Sequence, residues 1–438
     1  MALRSIISSG CHSYKQTIWL FTLPFLFIET ETLQRNSTEQ RVLDLMKRVP
    51  LIDGHNDLAL ELRKQYSNNL SKINLTNLKG TKTNIEKLQR GHVGAQFFSA
   101  YVLCSAQDKD AVRLTLEQID VIKRMCNIYE EFEFVTSSKG IKESKKIACL
   151  IGIEGGHSID SSLAALRMFY HLGVRYMTLT HVCNTPWAET SSDKYSKTYQ
   201  RNVSLTRFGE DVVKEMNRLG MMIDLSHTSV STADAVLNIS KAPVIFSHSC
   251  ASAICNISRN IPDHTLMELK KKKGIVMVTL PTAMISCSGP ANISSVADHF
   301  DHIKKIAGYE AIGIGGDYDG SNSFPDGLED VSKYPALIQE LMNRNWTDVE
   351  LEAVLRNNIL RVFKDVEDVR DNLTSYPPSN AEIPGKEVQN QCRLDLHSIK
   401  SPAQSLTERQ TSVQNAVFRK EATIAITFSC VMCWMHFW

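Results

Sequence analysis

Short apolar runs recur along the chain and alternate with longer segments that have the hydrophobic period of a helix. Near-continuous apolar runs of this length are typical of parallel strands that are buried on both faces. Because the pattern contains eight strand-helix repeats, we expect an α/β protein with a TIM-type (β/α)8 barrel rather than an open sheet. The eight runs are Val49–Ile52, Phe97–Leu103, Ile147–Ile153, Val174–Leu179, Met221–Leu225, Pro243–Phe246, Ile275–Leu280 and Ala311–Ile314.

Helices are predicted between most of these strands. Four of them end in a glycine placed to adopt the left-handed conformation that closes a helix. These are Gly173, Gly220, Gly274 and Gly308. After the last strand, residues 334–369 are predicted to form helices outside the barrel, and Thr347-Asp-Val-Glu350 is a capping-box pattern. The predicted helices are Lys109–Phe132, Ser161–Leu172, Thr206–Leu219, Ser231–Ile239, Asp263–Lys273 and Ser295–Ala307.

The two ends of the chain differ from its middle. Residues 1–30 contain basic residues and then an apolar run of about twelve residues, which predicts a secretory signal peptide because the run is too short to span a membrane. A single barrel domain is predicted over residues 39–370, followed by an extended tail, residues 371–421, that contains Cys392. The apolar residues 422–438 are typical of a lipid-anchor signal that is cut off, and a tail without an anchor is the alternative.

Composition and charge exclude several classes of protein. The 438 residues include 49 Lys and Arg against 48 Asp and Glu, for a net charge of +1, and 43% are hydrophobic. Intrinsic disorder and a small cystine scaffold are therefore excluded. The balanced charge also argues against a nucleic-acid partner, which would require a basic face.

Export is supported by potential glycosylation sites. The chain contains nine N-x-S/T sequons, which is dense for a cytosolic protein. The 11 cysteines then belong in an oxidising compartment, where disulfides can form. The sequons begin at Asn36, Asn69, Asn74, Asn202, Asn238, Asn256, Asn292, Asn345 and Asn372.

Ionisable side chains follow six of the eight apolar runs. In barrels of this kind the carboxyl ends of the strands carry the active site, so we expect these side chains to meet at one mouth. A single histidine there would more often be a hydrogen-bonded core residue, but six strand ends together favour a functional site. The ends carry Asp53-Gly-His55-Asn-Asp57, Glu154, His181, Ser226-His227, Ser247-His248 and Asp317.

The residue types at these strand ends are those that bind zinc. His55 and Asp57 are two positions apart and project to one side of an extended strand. Glu154, His227 and His248 complete a set of nitrogen and oxygen ligands. Five ligands are more than one catalytic zinc needs, so we expect two zinc ions that share Glu154. His55 and Asp57 would hold one ion, and His227 and His248 would hold the other. Two ions roughly 3.5–4 Å apart can hold a bridging hydroxide near neutral pH.

Four further observations concern catalysis and the mouth. Asp317 is the remaining carboxylate for proton transfer from the bridging water to the leaving amine, and the alternatives are that it caps its turn or that Asp319 acts instead. Arg259 could bind a substrate carboxylate, although a loop arginine is usually a surface ion pair. Cys104 and Cys183 both fall at the mouth and could join two loops. The Ser-His pairs lack the G-x-S-x-G elbow, so the metal hypothesis is preferred to a serine nucleophile.

These motifs, in this order, resemble those of the membrane dipeptidases, also called renal dipeptidases. The resemblance extends from about residue 39 to residue 369. It rests on Leu51-Ile-Asp-Gly-His-Asn-Asp57, Ile151-Gly-Ile-Glu-Gly-Gly-His157, Leu179-Thr-His-Val-Cys-Asn-Thr-Pro-Trp187, Ile223-Asp-Leu-Ser-His227, Pro243-Val-Ile-Phe-Ser-His248, Ser258-Arg-Asn260 and Gly315-Gly-Asp317.

The resemblance implies a distorted (β/α)8 barrel of the metal-dependent amidohydrolase kind with two zinc ions per subunit, bridged by Glu154. It implies that His181 contacts substrate and stabilises the tetrahedral intermediate, that Arg259 holds the substrate carboxylate, and that Asp317 is the acid/base. The implied reaction is hydrolysis of dipeptides. Some members also cleave cysteinyl-glycine bonds such as that of leukotriene D4, and some open penem β-lactams. The segment Val276–Met284 and the region after Cys392 are more similar to the leukotriene-cleaving branch.

The resemblance also implies disulfides and assembly. It pairs Cys104 with Cys183 and Cys255 with Cys287, and it assigns Cys392 to a bond between two subunits of a homodimer. Three further cysteines, Cys126, Cys149 and Cys250, are then expected to be free and buried. Family members typically carry a glycolipid anchor at the extracellular face of the plasma membrane, and a secreted form is the alternative here. The rival hypotheses are a catalytically silent cell-surface adhesion or binding protein and a two-metal amidohydrolase with other substrates.

Overall fold

The computed structural model describes residues 38–192, residue 199 and residues 203–388. The chain divides into two units, Met1–Ile383 and Pro384–Trp438, and the barrel lies in the first. The predicted signal peptide, the apolar end of the chain and Cys392 lie outside the described residues. Within the described ranges, no helix is both long enough and apolar enough to cross a membrane.

Eight parallel strands form a closed barrel, as the apolar pattern predicted. The ring order is β2-β1-β9-β8-β7-β6-β5-β4, and pairing of β2 with β4 closes it. Register shifts in three of the strand pairs distort the barrel. The predicted fold is therefore confirmed. The strands are β1 (Leu51–Asn56), β2 (Val93–Tyr101), β3 (Phe132–Phe134), β4 (Ile147–Glu154), β5 (Val174–Thr178), β6 (Met222–Asp224), β7 (Ile245–Ser249), β8 (Ile275–Val278) and β9 (Ile312–Ile314).

The strand β3 lies outside the ring and was not predicted. It pairs with the first three residues of β4, on the edge that β5 occupies farther along. The predicted helix Lys109–Phe132 is wrong at its carboxyl end, because the helix stops at Ile128 and Phe132 already belongs to the strand. A strand of three residues is too short to interrupt the helical period of the preceding segment.

The helices cover the outside of the ring, and the other predicted helices agree with them to within two residues. They are 38–48 (α1), α2 (Leu58–Tyr66), α3 (Ile85–Arg90), α4 (Ala111–Ile128), α5 (Ser138–Glu143), α6 (Leu163–His171), α7 (Arg207–Leu219), α8 (Val230–Ile239), α9 (Asp263–Lys271), α10 (Thr282–Ile285), α11 (Ile293–Ala307), α12 (Tyr334–Asn343), α13 (Asp348–Glu352) and α14 (Asn358–Asn372).

Two of the four glycine predictions are wrong. Gly220 adopts the left-handed conformation, with φ 77° and ψ 30°, and Gly173 has a φ of 105°. Gly308 has a positive φ of 92°, but its ψ of 157° lies outside the left-handed helical conformation, and before β8 the positive φ of 54° belongs to Lys273 instead of Gly274. Gly274 is needed for close packing, since a Cβ atom there would lie 2.3 Å from the Leu269 side chain and 2.5 Å from the carbonyl oxygen of Val244.

The last helix closes the amino-terminal end of the barrel. The capping box of Thr347 and Glu350 begins α13, which continues through a π-helical turn into α14. Asn358 Nδ2 donates to the carbonyl oxygen of Ile312 at the start of β9, and apolar residues of α14 pack on the side chains that fill the barrel. The carboxyl ends of the strands, where the candidate residues lie, are at the opposite end.

Three disulfides are present in the described residues. Cys104–Cys183 and Cys255–Cys287 are the pairs that the resemblance implied. The third bond joins Cys126 of α4 to Cys149 of β4, so the expectation that these two thiols are free is wrong. Their Cα atoms are 6.3 Å apart because α4 packs on the outer face of β4, a distance that suits a disulfide. Cys250 is buried and forms no disulfide with another described cysteine.

Candidate metal centre

The predicted ligands lie at the carboxyl ends of four strands. His55 belongs to β1, Glu154 is the last residue of β4 and His248 belongs to β7. Asp57 and His227 lie in the turns that follow β1 and β6. The barrel therefore directs side chains from distant parts of the chain into one space.

Glu154 lies at the centre of this cluster. Its Oε1 atom is 3.1 Å from Nε2 of His227 and 3.2 Å from Nε2 of His248. The same oxygen is 3.6 Å from Nε2 of His55, which in turn is 3.3 Å from Oδ2 of Asp57. The structure thus brings all five predicted ligands together around one carboxylate.

The orientation of His55 suits a metal ligand. The hydroxyl of Tyr176 donates to the carbonyl oxygen of Gly54 at 3.0 Å, so it accepts the hydrogen bond from Nδ1 of His55 at 2.9 Å. We therefore assign a proton to Nδ1, so that in the neutral imidazole the electron pair lies on Nε2. Among the described residues, that Nε2 atom and Oδ1 of Asp57 are buried without a hydrogen-bond partner. Two buried electron-pair donors without a partner fit a bound cation.

Electrostatics in the cluster also fit a cation. Burial, together with the charge of Arg259, lowers the pKa values of His227 and His248 well below the ordinary value of histidine. Burial alone would raise the pKa of Glu154, but the surrounding histidines hold this pKa well below its usual range. The carboxylate of Glu154 and the neutral imidazoles of His227 and His248 therefore present electron pairs that can coordinate a divalent cation.

His181 borders the cluster. It follows β5, and its Nε2 atom is 3.8 Å from Oε1 of Glu154. The ring of Tyr101 packs on it with the centroids 4.5 Å apart, and burial lowers the pKa of His181 to about 4. The Cys104–Cys183 disulfide joins the loops that follow β2 and β5, next to these two rings. His181 is therefore a neutral, positioned side chain at the edge of the cluster.

Asp317 and Asp319 face different surroundings. A carboxylate oxygen of Asp317 lies within 4.8 Å of ligand atoms of His55 and His248, and burial raises the pKa of Asp317 well above its usual range. Asp319 instead accepts a hydrogen bond from the backbone N–H of Lys82 at 2.6 Å. Of the two carboxyls that the sequence offered, Asp317 is the one that faces the cluster.

Arg259 is a cation without a carboxylate partner among the residues that the structure describes. Its Nη1 donates to Oγ of Ser249 at 2.8 Å and its Nη2 donates to the carbonyl oxygen of His248 at 2.9 Å. Among the described residues it forms no ion pair, and burial lowers its pKa. Because two of its five N–H groups hold it against β7, the remaining donors are free to bind an anion.

Two supporting residues were missed by the sequence analysis. Tyr176 orients His55, and Asp224 accepts a hydrogen bond from the hydroxyl of Ser247, whose oxygen bonds to Nδ1 of His248. The sequence signal that could have indicated Asp224 was its position two residues before Ser226, in the strand that leads to the predicted ligand His227. The neighbouring strand that Asp224 contacts depends on how the strands are arranged in the ring, and no local sequence pattern specifies that arrangement.

Two other features of the described residues are not part of the centre. Cys104, His157 and Cys183 are close enough to bind a metal ion, but the two sulfur atoms are joined to each other. A cavity of about 420 Å³ lies among residues that include Lys47, His92 and Arg356, and none of its lining residues belongs to the Glu154 cluster.

Comparison with known proteins agrees with the site. The sequence model described as membrane dipeptidase (peptidase family M19) matches residues 39–377. Dipeptidase 3 of Mus musculus is 56% identical over 358 residues, which are 82% of this chain and 72% of that protein. Dipeptidase 3 of Homo sapiens is 56% identical over 357 residues, 81% of this chain and 73% of that protein.

Solved structures share the fold. A metallo peptidase from Rhodobacter sphaeroides, liganded with a phosphinate mimic of the dipeptide L-Ala-D-Ala, aligns with a TM-score of 0.66 at 23% identity, covering 73% of this chain and 99% of that one. A second metallo peptidase, dipeptidase AC, aligns with a TM-score of 0.66 at 24% identity, covering 73% of this chain and 98% of that one.

Proposed function

Because the chain belongs to the membrane dipeptidase family, peptidase family M19, we propose that it hydrolyses dipeptides with two zinc ions per subunit. The chain is a metallohydrolase of the membrane dipeptidase type. The single observation that carries the proposal is the convergence of His55, His227 and His248 on one oxygen of Glu154, all within 3.6 Å.

The ligands divide into two sets around Glu154. His55 and Asp57 would hold one zinc ion with this carboxylate, and His227 and His248 would hold the other. When bound, two zinc ions supply a shared hydroxide near neutral pH and a Lewis acid for the scissile carbonyl. Zinc is favoured over a harder cation because three of the five ligands are imidazoles.

The remaining residues of the site would bind and protonate the substrate. Arg259 would hold the carboxylate of the dipeptide, since its guanidinium has free donors and no carboxylate partner among the described residues. His181 would contact the substrate carbonyl and stabilise charge that develops there. Asp317, whose pKa is raised by burial, would take a proton from the nucleophile and deliver it to the leaving amine.

The substrate class is proposed more narrowly from the resemblance. Cysteinyl-glycine bonds, such as that of leukotriene D4, would satisfy the same requirements, because they end in a free carboxylate next to the scissile amide. Penem β-lactams also present a carboxylate near a strained amide. Cysteinyl-glycine compounds and penems are therefore both candidate substrates, and assaying them in parallel separates the two.

The test uses the protein purified with its disulfides intact. Metal analysis should give two zinc ions per chain, and a glycine-containing dipeptide should be hydrolysed. Leukotriene D4, a penem and a phosphate ester, assayed in parallel, determine the substrate range. Zinc binding without any turnover would favour the silent binding protein, and turnover of esters alone would overturn the dipeptide proposal.

We also propose that the protein is a glycosylated homodimer on the extracellular face of the plasma membrane. The asparagines of the seven sequons that lie within the described residues are all exposed, which sugar attachment requires. Cys392 would join the two subunits, and the apolar end of the chain would direct attachment of a glycolipid anchor. Release from intact cells by a phospholipase specific for that anchor, together with a dimer on a non-reducing gel, tests this proposal. Activity found only in the medium would favour a secreted form.

A further inference from the structure

Asp224 is a buried carboxylate that the proposed reaction does not use. It is the last residue of β6 and has no exposed surface. Its Oδ1 accepts hydrogen bonds from the backbone N–H groups of Ser226 at 3.0 Å and Ser247 at 2.8 Å. Its Oδ2 accepts from the hydroxyls of Thr178 at 2.5 Å and Ser247 at 2.6 Å. All four partners donate, so both oxygens act as acceptors.

The hydroxyl of Ser247 connects this carboxylate to His248. It has one proton, which it donates to Asp224, and its oxygen lies 2.8 Å from Nδ1 of His248. Nδ1 must then donate to the hydroxyl oxygen, which leaves the electron pair of the neutral imidazole on Nε2. That Nε2 atom is 3.2 Å from Oε1 of Glu154 and 3.0 Å from Nε2 of His227.

His55 and His248 are each supported by a chain of hydrogen bonds, and the two chains end on different groups. The chain of hydrogen bonds from His55 passes through Tyr176 and ends on the neutral carbonyl oxygen of Gly54. The chain from His248 ends on a carboxylate. His227 has no such support among the described residues, because its Nδ1 atom is buried without a hydrogen-bond partner. An anionic end makes an imidazole a stronger electron donor than a neutral end does.

We propose that Asp224, acting through Ser247, is a positioning residue that fixes the tautomer of His248 and strengthens zinc binding at the position shared by His227 and His248. The inference rests on the proposed function, because it assumes that this position binds zinc. It adds a functional pair, Asp224 and Ser247, that contacts neither the substrate nor the metal ion.

The substitution Asp224→Asn tests the proposal sharply. The amide oxygen must take the place of Oδ1, where two backbone N–H groups donate, so the NH2 group replaces Oδ2. That group donates to Ser247, which frees the serine proton to bond to Nδ1 of His248. The favoured tautomer then carries its proton on Nε2, where the electron pair is needed. The same reversal of tautomer follows loss of the carboxylate in a Ser-His-Asp triad.

The experiment measures zinc binding to the folded, metal-free protein by competition with a chromophoric chelator. In Asp224→Asn and Ser247→Ala, the affinity of one of the two zinc ions should fall roughly 10- to 100-fold, with the other affinity changed much less. Ser247→Thr keeps the hydroxyl and should restore most of the affinity. Tyr176→Phe removes the hydroxyl that links His55 to the neutral carbonyl oxygen of Gly54. It should lower zinc affinity by a smaller factor, and only for the ion that His55 and Asp57 would hold.

A double-mutant cycle separates a relay from general damage. Because Asp224 acts through Ser247, the double variant should bind zinc no more weakly than Ser247→Ala alone. Additive losses, or affinities within twofold of wild type in both single variants, would overturn the proposal. If Asp224→Asn fails to fold, the zinc affinities of Ser247→Ala and Ser247→Thr still test whether the connection through Ser247 strengthens zinc binding. Wild-type protein that binds no zinc would instead contradict the proposed function itself.

Discussion

The backbone N–H of Asp317 donates a hydrogen bond to the carbonyl oxygen of His55, with the nitrogen and oxygen atoms 3.0 Å apart. This bond joins the turn after the last strand to the first strand, beside the pairing of β9 with β1. Asp317 has a φ angle of 57°, and a carboxylate oxygen of its side chain lies within 4.8 Å of ligand atoms of His55 and His248. The acid/base candidate is therefore held by the same strand that carries one of the ligands.

We expect Asp317→Asn to lower kcat for dipeptide hydrolysis by at least about 100-fold, because an amide cannot transfer the proton. Zinc content should stay near that of the wild type, since the five ligands are unchanged. Steady-state kinetics and metal analysis on the same preparation check both points. Asp319→Asn is the matched control, because its carboxyl faces Lys82. Full activity in Asp317→Asn, or a loss confined to Asp319→Asn, would contradict the assignment.

Arg259→Gln should raise KM for dipeptides, with a smaller effect on kcat. Loss of a charge-assisted pair to the substrate carboxylate corresponds to about 1.5–3 kcal/mol, or roughly a 10- to 100-fold change in affinity. A dipeptide amide, which lacks that carboxylate, serves as the control substrate and should be affected little by the substitution. An equal loss on both substrates would mean that Arg259 only supports His248 and Ser249, to which it donates.

The barrel itself was predictable because burial on both faces makes each parallel strand an apolar run, and all eight runs became strands. Local exceptions escaped prediction for physical reasons. The strand Phe132–Phe134 is stabilised by pairing with β4 and has little pattern of its own. Gly274 is required by close packing against Leu269 and Val244 instead of by a positive φ, which belongs to Lys273, and a sequence pattern does not distinguish these two uses of glycine.

The candidate ligands were predictable for a similar reason. His55, Glu154, His227 and His248 each follow or end an apolar run, and a barrel gathers its strand ends at one mouth. The residues that orient these ligands were not predictable. Ser247 bonds to Asp224 across the β6–β7 pair, and that contact depends on the register between two strands, which the sequence alone does not specify.

The Cys126–Cys149 disulfide should be detectable without any change in activity. Alkylation of the unfolded, unreduced protein should label Cys250, the free thiol among the described cysteines, and leave Cys126 and Cys149 unlabelled. The double substitution of both to serine should lower the free energy of unfolding by about 2–4 kcal/mol. Hydrolysis should persist, since Cys149 faces α4 on the outside of the ring. Alkylation of Cys126 or Cys149 would contradict the bond.

Glu215 should make the protein sensitive to acid through a buried ion pair. Its side chain is 2% exposed, accepts hydrogen bonds from Arg218 and Arg167, and also accepts one from the backbone N–H of Ser379. Burial opposes ionisation, but these donors hold the pKa of Glu215 below its ordinary value of 4.5. The native state therefore binds this proton less readily than the unfolded state does.

Because the native pKa is lowered, the stability that Glu215 contributes is present above about pH 4.5 and is lost as pH falls through the native pKa. Glu215→Gln should lower the free energy of unfolding by about 1–3 kcal/mol at pH 7, and its difference from wild type should shrink below about pH 4.5. Urea unfolding across this pH range measures the difference. Acid also protonates the zinc ligands, but it does so in both the wild type and Glu215→Gln, so this effect cancels in the difference between them.

Glu210→Gln on the same helix is the control for this prediction. Glu210 pairs with Lys214 at the surface, where the two side chains are 37% and 52% exposed, so its loss should change stability by less than about 1 kcal/mol. A difference between Glu215→Gln and wild type that stays constant down to pH 3 would mean that the charge of Glu215 does not stabilise the fold. The ion pair would then fix only the position of the segment around Ser379, which it contacts after the last helix.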